Sequence, residues 1–396
     1  MELVLPLVPS AIADDYVSAD RLDEKQPAFP LDLFLCNDCK HTQILDVINP
    51  DILFRNFTYV TSVSLGLVEH FRKLAEKLIS RFSLGPDSLV IEIGSNDGTL
   101  LRFFKERGIK VLGIDPALEI ARKATESGLE TIPEFFTSRL ATEILEKRGP
   151  ATLFIANNVF AHADNLGDIA DGIRKLLAPD GVFVFEVSYM VDIVDKMLFD
   201  TIFHEHLCYH AIRPFVNFFR LHGLELFDVE RIPTKGGSLR GYARLGSDPR
   251  PVEPAVGELL ALEEKLDFGN PEVFRAYANR INAAKTALLD LLSKLRSEGK
   301  TIAGYGASST VTTLLHHFEL GDKIDYLVDD NPLKQGTFSP GHHIPVLPSS
   351  ALSERKPDYT VILAWMYREP IIQKNQGYLQ QGGHFIVPIP ELRIVG

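Results

Sequence analysis

An unbroken apolar run that passes at once into a glycine turn constrains this chain more than any other feature. Ser88-Leu89-Val90-Ile91-Glu92-Ile93 has the composition of a strand buried on both faces, and Thr99 to Arg107 has a helical pattern that Gly108 is placed to stop. Gly94-Ser95-Asn96-Asp97-Gly98 therefore falls on a strand-to-helix turn. A second apolar run, Lys110-Val111-Leu112-Gly113-Ile114, ends in Asp115, a carboxylate suited to ribose hydroxyls. Strand, glycine turn, helix and acid-tipped strand commit this part of the chain to an α/β fold with a parallel sheet. They nominate Glu92, Gly94, Asn96, Asp97, Gly98 and Asp115 as a nucleoside-cofactor site. Asn96 stands where a dinucleotide fingerprint needs glycine so that backbone can approach a pyrophosphate. S-adenosylmethionine has no phosphate and tolerates a side chain there, so it is preferred over NAD.

The apolar runs Ala151 to Ala156 and Gly181 to Val187 continue the same unit, and a helical stretch from His70 to Arg81 precedes it. Residues 1 to 66 are irregular and proline-bearing, with a short strand-like Leu31 to Leu35 before Cys36-Asn37-Asp38-Cys39. They read as a small N-terminal module. Residues 67 to 245 read as the cofactor domain, and 246 to 396 as a helical connector followed by a second α/β unit. In that last unit Thr301-Ile302-Ala303-Gly304-Tyr305-Gly306-Ala307-Ser308-Ser309 opens a helix, and Ile324 to Asp330 is a strand ending in carboxylates. Backbone N–H groups at such a helix start can hold a phosphate, aided by the helix dipole. A phosphate-bearing substrate is expected.

Proton-transfer chemistry is suggested by Thr201-Ile202-Phe203-His204-Glu205-His206-Leu207-Cys208-Tyr209-His210. Imidazole titrates nearest neutral pH and serves as a general base, and an adjacent carboxylate can fix its tautomer. His206 and His210 also have the spacing of zinc ligands on a helix, but a His-Glu-x-x-His arrangement is absent.

With 396 residues, 45% of them hydrophobic, the chain can bury several cores. Its net charge of −12 argues against a general nucleic-acid or membrane-surface role. No run of eighteen apolar residues and no charged leader with an apolar core is seen, and three cysteines cannot make a disulfide framework. A cytoplasmic protein is expected, as a monomer or small homo-oligomer.

Several motifs together resemble the nucleotide-sugar C-methyltransferases of deoxysugar biosynthesis. They are the run Val90 to Leu101, then Ala156-Asn157-Asn158-Val159-Phe160-Ala161-His162, His204-Glu205-His206-Leu207, Gly236-Gly237-Ser238-Leu239-Arg240 and Gly304-Tyr305-Gly306-Ala307. The resemblance covers nearly the whole chain. It implies a class I, Rossmann-like S-adenosylmethionine domain between a small zinc-binding N-terminal module and a C-terminal Rossmann-like domain that helps hold the nucleotide. The implied substrate is a nucleoside-diphosphate 4-keto-hexose, methylated beside the ketone, at C3 in preference to C5. The implied base is His206 with Glu205 beside it, and His162 and Tyr59 are further active-site positions facing a developing enolate. Asn157 joins the cofactor group. His204, Lys235, Arg240, Gly304, Tyr305, Gly306 and Ser308 are expected on the substrate side.

Two departures from the family pattern stand out. Phe203 replaces a tyrosine before the His-Glu-His run, which removes a hydroxyl. The family's zinc uses two Cys-x-x-Cys pairs, and only Cys36 and Cys39 are present, beginning where the first pair should have passed. With His41 nearby they are a partial set, one ligand short of a structural tetrahedral site. Two other function classes fit the same motifs: a methyltransferase acting on another atom or acceptor, and a non-catalytic sugar-nucleotide binder.

Overall fold

A computed structural model describes residues 1–55, 59–63 and 65–396. Three sheets organise it. The N-terminal segment supplies β1 (Glu2–Leu5), β2 (Leu33–Leu35) and β3 (Thr42–Ile44), all antiparallel. The next strands are β4 (Leu89–Ile93), β5 (Lys110–Ile114), β6 (Thr131–Ile132), β7 (Ala151–Asn157) and β8 (Leu177–Ser188). Then come β9 (Cys208–Tyr209), β10 (Leu224–Ile232) and β11 (Ser238–Leu245).

The central sheet runs β10-β11-β8-β7-β4-β5-β6. Its strands from β8 to β6 are parallel, while β11 lies antiparallel between β8 and β10. Every residue of β4 is buried, as the apolar run requires of a strand covered on both faces. The chain leaves β4 toward β5 on one side and returns to β7 on the other. This reversal opens a crevice beyond the carboxyl ends of β4 and β7, where open α/β sheets bind ligands.

The C-terminal sheet comprises β12 (Ile302–Tyr305), β13 (Tyr326–Asp329), β14 (Val346–Pro348), β15 (Tyr359–Ile362), β16 (His384–Val387) and β17 (Arg393–Val395). Its order, β14-β13-β12-β15-β16-β17, reverses between β12 and β15. Helices Pro254–Lys265 and Pro271–Ser297 lead into it, each starting on a proline at its first turn, where no N–H is needed.

The N-terminal segment is not simply appended. β9 pairs with β3, and the Thr42 hydroxyl donates to the Tyr209 carbonyl at 2.9 Å. The small sheet thus clamps the chain just after the His-Glu-His run, and one hydrophobic core continues from Leu33 and Leu35 through Phe185 to Leu327.

Candidate active site

The two sheet reversals meet at one cavity of about 720 Å³. On the central side it is walled by Glu92 and Ile93 from the end of β4, Asp115 after β5 and Asn157 at the end of β7. On the other side stand Ser308, Ser309 and Thr310 at the start of helix Ser309–His317, with Ala364 to Tyr367 following β15. His162, Glu205, His206 and Lys235 lie on its wall as well.

The cofactor turn is shaped by backbone demands. Gly94 has φ +63°, and a Cβ there would stand 2.5 Å from Val159 Cγ2, so a side chain is excluded twice over. Asn96 follows at φ +50°, a conformation asparagine tolerates better than most residues. Its amide, however, faces neighbouring backbone: Oδ1 accepts from Thr61 N at 2.8 Å and Nδ2 donates to the Tyr59 carbonyl at 2.9 Å. Asn96 therefore ties the Tyr59 segment to the turn, a job that the comparison with a dinucleotide fingerprint did not suggest. Asp97 is used within the turn, accepting from Thr99 N and Oγ1 and from Ser62 N. Gly98 is the left-handed cap of the helix Thr99–Lys105. Asp115 accepts from Asn96 N at 2.8 Å and Ala117 N at 2.9 Å, and burial raises its pKa.

Buried polar groups at this wall fit an S-adenosylmethionine site. Glu92 Oε2, Ser95 Oγ and both amide atoms of Asn157 are buried without a well-formed hydrogen bond among the described residues. Native interiors leave few such atoms unpaired, and a bound polar ligand accounts for several at once. Burial, with Asp115 and Asp97 nearby, drives the Glu92 carboxyl well above its ordinary pKa.

The imidazoles define the other half. The rings of His162 and His206 have centroids 4.9 Å apart, and Phe203 packs on His206 at 4.0 Å. His206 Nδ1 lies 2.8 Å from the Thr201 carbonyl, and His162 Nδ1 lies 2.6 Å from the Glu205 carbonyl. A carbonyl only accepts, so each Nδ1 carries the hydrogen and each Nε2 is left as a lone-pair base. Burial, with His162 and Lys235 adding positive charge, holds His206 well below its usual pKa; burial brings His162 down to about 4. Both rings are neutral at pH 7, the form a base requires.

The tautomer of His206 is thus fixed by Thr201 and not by Glu205. Consecutive side chains diverge: the Glu205 carboxyl feels Asp14 and Lys334, and burial pushes it up to about 7. What Glu205 gives the histidines is its backbone carbonyl, bound to His162.

Several expected substrate contacts lie elsewhere. His204 is fully buried, with Nε2 3.2 Å from the Pro30 carbonyl and 3.3 Å from that of Phe29. Arg240 is consumed by Glu186 at 2.6 Å and Glu230 at 3.4 Å. Gly304 is packed between Leu327 and Leu363, Gly306 against Ala364, and the Tyr305 hydroxyl donates to Asp330 at 2.9 Å. Of the C-terminal expectations Ser308 reaches the wall, as does Lys235 from the β10–β11 turn; Tyr59 also lies on it. Sequence reasoning missed Asp200 and Trp365. Both line the cavity, and the indole N–H donates to Asp200 Oδ2 at 2.8 Å, joining the turn Phe199–Thr201 to the segment after β15. Nothing in their local spacing signals that pairing.

Cys36 and Cys39 are free thiols, and the His41 ring is buried against His210. Among the described residues no group of three or more His, Cys, Asp or Glu is gathered to hold a metal, so the residues present do not fit a four-ligand zinc site. No helix among them is long and apolar enough to cross a membrane.

Comparison with known proteins now decides the family. The chain is 38% identical to the C-methyltransferase NovU of Streptomyces niveus over 368 residues, covering 93% of this chain and 88% of that protein. The chain belongs to this C-methyltransferase family. Family models match in the same order: a putative zinc binding domain over residues 1–54, a methyltransferase domain over 67–229 and a C-methyltransferase C-terminal domain over 233–390. Among solved structures it is similar to the PH0226 protein of Pyrococcus horikoshii OT3, with 14% identity, a TM-score of 0.39 and coverage of 48% of this chain and 95% of that one. It is also similar to magnesium protoporphyrin IX methyltransferase of Synechocystis PCC 6803 with bound SAH, with 14% identity, a TM-score of 0.35 and coverage of 45% and 83%. The family assignment does not rest on these two likenesses. This C-methyltransferase is an S-adenosylmethionine-dependent enzyme.

Proposed function

We propose that the enzyme methylates the carbon next to the ketone of a nucleoside-diphosphate 4-keto-deoxyhexose, at C3 in preference to C5. The observation that carries this reading is the pair of neutral imidazoles, each with its Nε2 lone pair left basic, between the cofactor turn and the helix start at Ser308. A carbon acid is what such a pair suits. The C–H beside a ketone ionises because its electron pair delocalises onto the carbonyl oxygen, so the site needs a base at carbon and a positive or donating group at oxygen.

His206 Nε2 is assigned the proton, and the imidazolium formed is held by the Thr201 carbonyl through Nδ1. Phe203, packed against the ring at a tilt of 33°, keeps it oriented, which also gives the residue at the family's tyrosine position a role without a hydroxyl. Asp115, Glu92 and Asn157 would hold S-adenosylmethionine, which would supply an activated methyl group. The cavity walls align donor and acceptor, which is where most of the rate advantage of such a transfer arises. Ser308 to Thr310 at the helix start are positioned for the diphosphate.

The test is substrate selection by the purified enzyme with labelled S-adenosylmethionine. Nucleoside-diphosphate 4-keto-hexoses should accept label on carbon, and the corresponding 4-hydroxy sugars should accept none. Methylation of both alike, or on oxygen, would defeat the reading.

A further inference from the structure

An enolate oxygen calls for a donor or a positive charge, and Tyr59 on the cavity wall is a neutral candidate for it. His162 was expected to face it, but its one N–H in the neutral ring is committed to the Glu205 carbonyl, with the Asn158 carbonyl also near. A lone pair at Nε2 would repel an oxyanion. We infer that Lys235 is the catalytic cation that stabilises the enolate oxygen formed when His206 removes the proton, an assignment that rests on the reaction proposed above.

The geometry supports it. Lys235 lines the cavity together with His162 and His206. The side chain is exposed within the cavity, and its charge reaches both imidazoles and Glu186. Among the described residues no carboxylate or carbonyl takes a hydrogen bond or ion pair from Nζ. An ammonium that faces the cavity without a protein counter-charge is free to meet an anion formed there.

The backbone tells the same story. Lys235 sits at φ 51°, ψ 34°, in the left-handed region that a lysine rarely adopts. The turn is locked from outside: Gly237 N donates to the Thr234 carbonyl at 2.9 Å, the Ser238 hydroxyl to the same carbonyl at 2.9 Å, and Lys196 Nζ to the Gly236 carbonyl at 2.5 Å. A Cβ at Gly237 would stand 2.3 Å from Asp192 Cγ, so the turn cannot relax toward that side. Strain retained by a surrounding lock is typical of functional positions. The balance of the step is simple: the C–H pair moves into the carbon–carbon bond, the carbonyl pair moves to oxygen, the proton goes to His206, and Lys235 keeps its protons throughout.

Lys235→Met and Lys235→Gly test the assignment, the glycine variant being one that suits the backbone better than lysine does. With a nucleoside-diphosphate 4-keto-hexose and S-adenosylhomocysteine in deuterium oxide, both should slow deuterium entry at the carbon beside the ketone. Loss of one preorganised oxyanion contact predicts a fall of about 10²- to 10³-fold, with kcat for methyl transfer falling alike. Affinities for S-adenosylhomocysteine and for the nucleoside diphosphate alone should stay as in the wild type, and Lys235→Gly should melt no lower than wild type. Lys235→Arg should recover part of the exchange. Normal exchange in the Met and Gly variants would overturn the inference. So would a loss confined to nucleoside diphosphate affinity, which would make the lysine a phosphate contact. If wild type itself exchanges no deuterium with any 4-keto sugar nucleotide, the proposed reaction has failed and not the lysine assignment alone.

Discussion

His206 is the proposed base, and its substitution gives the sharpest expectation at the residue scale. His206→Asn keeps polarity and removes the base, so methyl transfer should fall by at least the roughly 10²- to 10⁴-fold ascribed to general base catalysis, with S-adenosylmethionine affinity intact by calorimetry. Glu205→Gln should cost less, because the carbonyl that holds His162 survives while the carboxyl faces Asp14 and Lys334. Asp115→Ala should weaken cofactor binding by about 1–3 kcal/mol, the scale for hydrogen bonds to a charged group. Unchanged affinity would remove Asp115 from the cofactor site. Residue roles were only partly legible in the sequence. Asn96 stands out in the sequence by interrupting the glycine spacing, but its partners Tyr59 and Thr61 are set by tertiary approach. His204 shares a motif with the cavity residues Glu205 and His206, and Arg240 lies on the strand after Lys235, yet both side chains run into the interior, at Pro30 and Glu186.

At the scale of elements, the parallel strands were readable because burial on both faces writes itself as an apolar run. β4, β5 and β7 begin and end within a residue or so of their apolar runs. The insertion of β11 between β8 and β10 was not readable, since antiparallel neighbours far apart in sequence are chosen by the completed sheet. The same holds for β9, two residues whose pairing with β3 fixes the loop after His206. The β10–β11 turn supplies a test of how elements hold the site. Gly237→Ala would place a Cβ against Asp192, whose carboxylate is engaged by Arg231 at 2.7 Å and Lys196 at 2.6 Å. Overpacking of this kind costs about 1–3 kcal/mol, so the melting temperature should drop and the position of Lys235 should be disturbed, lowering kcat. A variant as stable and active as wild type would show the turn to be slack.

The whole molecule stores an acid sensitivity in its buried imidazoles. Burial lowers His41, His162, His316 and His317 to about 4 and His210 to about 3, from an ordinary 6.5. The unfolded chain binds protons there first, so the stability these groups contribute is present above pH 6.5 and lost as pH falls toward 4. Asp200 and Glu205, raised to about 7, act oppositely: they favour the folded state at low pH and lose that contribution as pH rises through about 7. His204, His206 and His342 are lowered as well, and Glu92, Asp115 and Glu263 raised, so eight imidazoles stand against five carboxyls and the melting temperature should decline from pH 7 to pH 5. A rise on acidification would contradict these burial arguments. At the same scale, metal analysis of protein purified without added zinc should find clearly less than one zinc per chain, because Cys36 and Cys39 have no second thiol pair. Stoichiometric zinc on those thiols would require further ligands.

Deuterium entry at the carbon beside the ketone tests the central claim most directly, because it reports carbon acidity without methyl transfer. Wild-type enzyme, a nucleoside-diphosphate 4-keto-hexose and S-adenosylhomocysteine in deuterium oxide, followed by proton NMR, should show one ring proton next to the carbonyl disappear. The same position should carry the new methyl group when S-adenosylmethionine replaces the homocysteine, and His206→Asn should abolish both signals. A methylated product with no exchange at that carbon, or exchange undiminished in His206→Asn, would contradict the account.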